Sequence, residues 1–162
     1  MEDFTDHKEL IKGLNVTLKD VRLVNLPKIN DPRGNLSFIE ENNHVPFTIK
    51  RTYWTYDVPG GEKRGCHAYK TSCEFIVALS GSFDICIHDG LEECKFSLNR
   101  SYYGLYIPQM LWRRIDNFST NSLALVLSST TYDESDYIRD FQTFLITKEK
   151  WMAEEPMFTS VR

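Results

Sequence analysis

The sequence predicts an all-β protein, a sandwich or barrel closed by a single C-terminal helix, on three observations. Short β-rich runs recur about every ten residues along most of its length. Turn signals rich in Gly, Pro, Asn and Asp separate them. Only one stretch, near the end, has apolar residues at helical spacing, so the βα alternation of a parallel sheet is absent.

The runs begin at residues 21–26 (VRLVNL) and 35–40 (NLSFIE), parted by the turn string DPRGN at 31–35. Residues 48–56 (TIKRTYWTY) lead into the turn VPGGEKRG at 58–65, and the chain then extends through His67 and Tyr69. The run 73–79 (CEFIVAL) ends at the turn SGS, 80–82. Residues 82–88 alternate without a slip, Phe83, Ile85 and Ile87 on one face and Ser82, Asp84, Cys86 and His88 on the other. After the turn HDG at 88–90 come 93–98 (ECKFSL), 102–107 (YYGLYI) and 111–116 (LWRRID). In 122–129, Leu123, Leu125 and Leu127 share a face. Asp133 is placed to cap a helix carrying Ile138, Phe141 and Leu145 at helical spacing. Residues 147–162 are polar and mixed and read as a loose tail, and 5–13 allow a short helix. The organisation is one domain at 20–146, preceded by an extension at 1–19 and followed by the tail.

The 162 residues carry 19 Lys and Arg against 23 Asp and Glu, a net charge of -4, with 41% hydrophobic and 13% aromatic residues. That is the composition of a folded chain long enough to bury a core without staples. Mild acidity without a long basic run speaks against nucleic acid or a membrane surface as partner, so an anionic ligand must be held by a few local arginines. No run approaches the roughly 18 apolar residues of a membrane span, and the first residues, MEDFTDHKEL, lack a signal-peptide core. Cys66, Cys73, Cys86 and Cys94 form no C-x-x-C pair, which suits reduced thiols in the cytoplasm.

The densest reactive cluster is EKRGCHAYKTSCEF, residues 62–75. Two apart on an extended strand, His67 and Tyr69 point to the same face, with Lys63 and Arg64 at the strand entrance. An imidazole and a phenol converging on a positive-mouthed pocket suit proton transfer near neutral pH. A solvated strand end with an idle imidazole is the competing reading. The spacing of Gly65, His67, Glu74 and Gly81 resembles the first cupin motif, with Tyr69 where a second histidine usually stands. His67 and Glu74 supply two ligands where a mononuclear site needs about three or four, so neither metal nor other cofactor is expected. His7, His44 and His88 have no companions at useful spacing and read as surface residues; Trp54 and Trp112 read as core or pocket wall.

Taken together, IEENNHVPFTIKRTYW, EKRGCHAYK, SGSFDICIHDG, GLYIPQMLWR and YDESDYIRDF resemble, in order from about residue 20 to 145, the sugar 3,4-ketoisomerases of the cupin superfamily. The resemblance implies a metal-free cupin-type jelly-roll barrel and a homodimer with exchanged N-terminal strands. It implies a dTDP-linked 4-keto-6-deoxy sugar as substrate, its ketone moved from carbon 4 to carbon 3. Carried over by position, His67 is the principal acid/base, with Tyr69 and Tyr53 as further catalytic candidates. Arg64 falls near the diphosphate, Arg51 beside Tyr53, and Arg33 and Arg113 near the sugar; Glu74 and Tyr106 complete the substrate-binding set, Tyr106 within a tyrosine group suited to stack on the base. Family members commonly read H-A-H or H-S-H where this chain reads His67-Ala68-Tyr69. A phenol of pKa about 10 is a poor base at pH 7. Two functions therefore stand at this point, an isomerase and a cupin that only binds a dTDP-sugar or a partner enzyme.

Overall fold

The computed structural model describes residues 16–154; the helix allowed over 5–13, His7 and the end of the tail lie outside them. Ten strands form two antiparallel five-stranded sheets. In chain order they are β1 (Arg22–Asn25), β2 (Arg51–Thr55), β3 (Arg64–Tyr69), β4 (Glu74–Ser80), β5 (Phe83–His88), β6 (Glu93–Leu98), β7 (Tyr103–Ile107), β8 (Trp112–Asp116), β9 (Leu123–Ser128) and β10 (Tyr137–Ile138), followed by helix α1 (Phe141–Ala153). One sheet has the order β1-β7-β4-β9-β2 and the other β10-β3-β8-β5-β6. This is the cupin-type jelly roll with its C-terminal helix.

Alternation decides what each face meets. Between the sheets, Ile76, Leu105, Ile107, Ala124 and Val126 pack against Phe83, Ile85, Ile87, Leu98 and Ile115, all buried. The outer face of the first sheet is covered as well: Phe75, Val77 and Leu127 lie under Leu26, Val45 and Phe47. Burial on both faces explains why CEFIVAL is apolar nearly throughout. The leucines that share a face in β9 point to this outer layer, leaving Ala124 and Val126 for the inner one.

Two sequence expectations change upstream of the helix, and a third within it. Residues 35–40 join no ladder: Leu36 meets Ile29 in a single bridge, and the segment runs over the outer face, where no neighbouring strand among the described residues offers a partner. Asp133 caps a short 3-10 turn at 134–136 instead of the helix, its side chain accepting from the Ser135 N–H. The chain then straightens so that Ile138 pairs with Ala68 of β3, and α1 starts only after Asp140, whose carboxylate accepts from the Thr143 N–H at 2.8 Å.

Helix α1 covers the outer face of the second sheet with Phe144, against Ala68, Met110 and Ile138. It continues through residues 147–153, which therefore are not a loose tail. Lys148 is buried and donates to the carbonyls of Val16 and, at 2.9 Å, of Met110. Two acceptors offset the cost of burying an ammonium group. Among the described residues no helix is long and apolar enough to cross a membrane.

Candidate active site

Site geometry begins at Gly65, whose φ of +64° is a conformation that side chains disfavour. The β3–β8 register shifts between Arg64 and His67, and this irregularity sets His67 directly across from Arg113. From there the period of two turns His67 and Tyr69 inward, and Tyr137 of β10 stands across from Tyr69. The first sheet contributes Tyr53 from β2 and Glu74 from β4. Together these side chains line a cavity of about 370 Å³, with the exposed Lys63, Arg64 and Arg139 at its margin.

At its centre Arg113 is 2% exposed and Glu74 1%, with Nη2 and Oε2 2.8 Å apart. The Nη2 group has no aligned hydrogen bond, so charge governs that contact. Tyr53 donates its hydroxyl to Glu74 Oε1 at 2.7 Å. Arg113 Nε donates, at a long 3.4 Å, to Nε2 of His67, and its guanidinium lies 4.3 Å from the centre of the Tyr69 ring. The rings of His67, Tyr69 and Tyr137 pack within 4.6 to 5.0 Å of one another, and the Tyr69 hydroxyl donates to that of Tyr137 at 3.1 Å.

Burial above all, then the positive charges of Arg113, Arg139 and Arg51, push the imidazole of His67 down to a pKa of about 2. Burial raises the Tyr53 and Tyr69 phenols above their usual range, the charge of Glu74 adding to it. At neutral pH the resting cavity thus holds a neutral imidazole accepting at Nε2, neutral phenols and one ion pair. Among the described residues no three His, Cys, Asp or Glu side chains come together as a metal-ligand group.

Six of the nine residues singled out in the sequence line this cavity: His67, Tyr69, Tyr53, Glu74, Arg64 and Arg113. Arg51 lies behind Tyr53, its guanidinium 5.3 Å from that ring and 5.6 Å from Tyr132, with Nη2 donating to Ser128 Oγ at 3.4 Å. Arg33 is elsewhere, in the exposed turn after Ile29, paired with Asp31 at 2.9 Å and 90% exposed. Tyr106 is elsewhere too. Its neighbours Leu105 and Ile107 take the inner face of β7, so alternation sends Tyr106 outward against Phe47. His88 is half-buried, edge-on to Phe141, and Trp54 is 58% exposed, where a surface histidine and a core or pocket-wall tryptophan were expected.

Sequence reasoning missed Tyr137 and Arg139. Their two-residue strand is too short to show a period; the only signal was Tyr-x-Arg spacing inside YDESDYIRDF. Buried Asp136 fixes that segment by accepting from the backbone N–H groups of Thr71 and Ser72 and from the Thr71 hydroxyl. At the margin Glu134 accepts from Arg139 Nε at 2.7 Å and Nη2 at 3.0 Å and from the Tyr132 hydroxyl at 2.6 Å.

Comparison with known proteins gives a consistent result. Residues 19–149 match the family model described as FdtA: WxcM-like, C-terminal. The chain is 40% identical over 123 residues to a TDP-4-oxo-6-deoxy-alpha-D-glucose-3,4-oxoisomerase of Aneurinibacillus thermoaerophilus, covering 76% of this chain and 88% of the relative. The WlaRB TDP-quinovose 3,4-ketoisomerase of Campylobacter jejuni superposes with a TM-score of 0.77 at 42% identity, over 80% of this chain and 99% of that one. The sugar 3,4-ketoisomerase QdtA of Thermoanaerobacterium thermosaccharolyticum, in complex with TDP, gives 0.80 at 35%, over 83% and 98%.

Proposed function

Because the chain belongs to the FdtA family, WxcM-like, C-terminal, we propose that it is a 3,4-ketoisomerase of a TDP-linked 4-keto-6-deoxyhexose. One observation carries the reading to these residues: a neutral, buried His67 lines a cavity beside a buried cation, Arg113. The carbonyl at carbon 4 acidifies the proton on carbon 3. His67 Nε2 gives up its long contact with Arg113 Nε and takes that proton, the carbon–hydrogen electron pair forms the carbon 3–carbon 4 double bond, and the carbonyl electrons move to oxygen 4. Arg113 stabilises the resulting enediolate by its charge. The imidazolium returns the proton to carbon 4 while the hydroxyl proton of oxygen 3 passes to oxygen 4, so the ketone forms at carbon 3 beside a hydroxyl at carbon 4. No net proton is gained or lost, and positioned acid/base groups supply about 10² to 10⁴ in rate.

Tyr69 does not act as a second base in this scheme, because its raised pKa keeps it a phenol. It supports the face of Arg113 and, through Tyr137, the wall beside His67. The low pKa of His67 belongs to the unliganded cavity. Two diphosphate charges at the margin oppose those of Arg139 and Arg51 and move the imidazole toward the range of a working base. With TDP-4-keto-6-deoxyglucose in deuterated water, deuterium should enter the sugar ring and NMR should show the 3-keto product. Binding of TDP without any exchange would leave a domain that only binds.

We also propose that the chain works as a homodimer. Phe38 and Leu79 are exposed along an outer groove of about 580 Å³ whose floor is Val77, Leu125 and Leu127. Among the described residues the edge strand β2 has a free side, and residues 35–40, strand-like in sequence, pair only through the single Leu36–Ile29 bridge. Exchange of these segments between two copies satisfies both. Light scattering should give twice the chain mass; a monomer at micromolar concentration would refute it. The TDP-sugar substrate and the free thiols of Cys66, Cys73, Cys86 and Cys94 support the cytoplasm as its location.

A further inference from the structure

We propose that Arg139 is a diphosphate-binding residue held in reserve by Glu134, and that substrate binding transfers its guanidinium from that carboxylate to the diphosphate. The inference rests on the nucleotide-sugar reading above. Of the arginines around the cavity, Arg113 is committed to Glu74 in a pair only 2% and 1% exposed. Releasing it would strand a carboxylate in the interior. Arg139 differs: it borders the same cavity, yet the side chains of Arg139 and Glu134 are 55% and 58% exposed. Glu134 can therefore give up its partner and be hydrated at little cost.

Two features make the transfer a short swing rather than a rearrangement. The Arg139 guanidinium lies 4.3 Å from the centre of the Tyr137 ring, and Tyr137 is itself fixed through Tyr69 and its place in β10. That contact holds the arginine at the margin whichever anion it faces. Meanwhile Glu134 keeps the Tyr132 hydroxyl as a donor after release. The two parallel N–H groups that now serve the carboxylate have the geometry that a phosphate takes.

A double-mutant cycle on TDP affinity, measured by calorimetry on the full chain, tests this. Arg139→Gln should weaken TDP binding about 10- to 150-fold, the range of a charge-assisted contact. Glu134→Gln should tighten it several-fold, since the competing anion is gone. In the Arg139→Gln background the Glu134→Gln gain should vanish. A purely structural pair would predict weakening by both single changes. A gain that persists without Arg139 would mean that Glu134 only repels the ligand through space. Either result overturns the inference while leaving the nucleotide-sugar reading standing; a wild-type chain that binds no TDP overturns both. Circular dichroism of each variant confirms that these exposed replacements leave the fold intact.

Discussion

Two arginine–glutamate pairs built from the same chemistry serve one cavity, one at its centre and one at its margin, and they differ in nearly everything that matters energetically. Arg113–Glu74 is sealed, joined by Tyr53 and set on the face of Tyr69. Arg139–Glu134 has better-aligned hydrogen bonds but stands in water. Alignment does not decide how permanent a pair is; the solvation that each partner would regain on separation does. The inner pair fixes a charge where a transition state needs one, and the outer pair can be exchanged for a ligand.

The largest effect should come from the residue lying between the pairs. His67→Gln should lower turnover by about 10² to 10⁴ with TDP affinity retained, measured by deuterium wash-in and calorimetry. Retained turnover would move the base elsewhere in the cavity.

Next, Glu74→Gln should cost about 3 to 5 kcal/mol of stability in urea unfolding, because it leaves the guanidinium of Arg113 buried without a counter-charge. A loss well under 1 kcal/mol would mean that water reaches Arg113, which would erase the distinction between the two pairs.

Acid should reveal the same contrast. The unfolded chain protonates His67 near pH 6.5 while the folded chain holds it neutral down to about 2, so the unfolded state binds more protons and stability falls as pH drops below 6.5. Between pH 6.5 and 4.5 the decline in His67→Gln should be shallower than in the wild type by at most about 1.4 kcal/mol per pH unit, the slope of one proton. Glu134, held at about 2 chiefly by Arg139, contributes stability that is lost only below its ordinary 4.5, outside that window.

The smallest effect belongs to the outer pair. Glu134→Gln should leave the melting temperature unchanged within error at 0.15 M salt, and a clear drop would mean that the pair is structural.

The strands were legible because burial imposes a period of two, and parity alone brought His67 to Tyr69 and Arg51 to Tyr53. Parity does not say which face looks inward. In β7 the apolar Leu105 and Ile107 claimed the core and turned Tyr106 out, and in β9 the leucines took the outer layer. Arg33 could be matched by position to a family pattern, but its place depends on a segment that pairs, among the described residues, only through the Ile29–Leu36 bridge. Tyr137 and Arg139 were hidden for a different reason: long-range hydrogen bonds to Asp136, not local pattern, put their short strand beside β3.

Lys148 has a consequence in time as well as in space. Its ammonium group joins α1 to the carbonyl of Val16, across 132 positions of sequence. On the ribosome the start of the barrel must wait for nearly all the rest to be synthesised before that contact can form, so the sheets assemble before the fastening that secures their first residues. Until then β1 is held to the barrel by its ladder with β7 alone, without the clasp that Lys148 supplies.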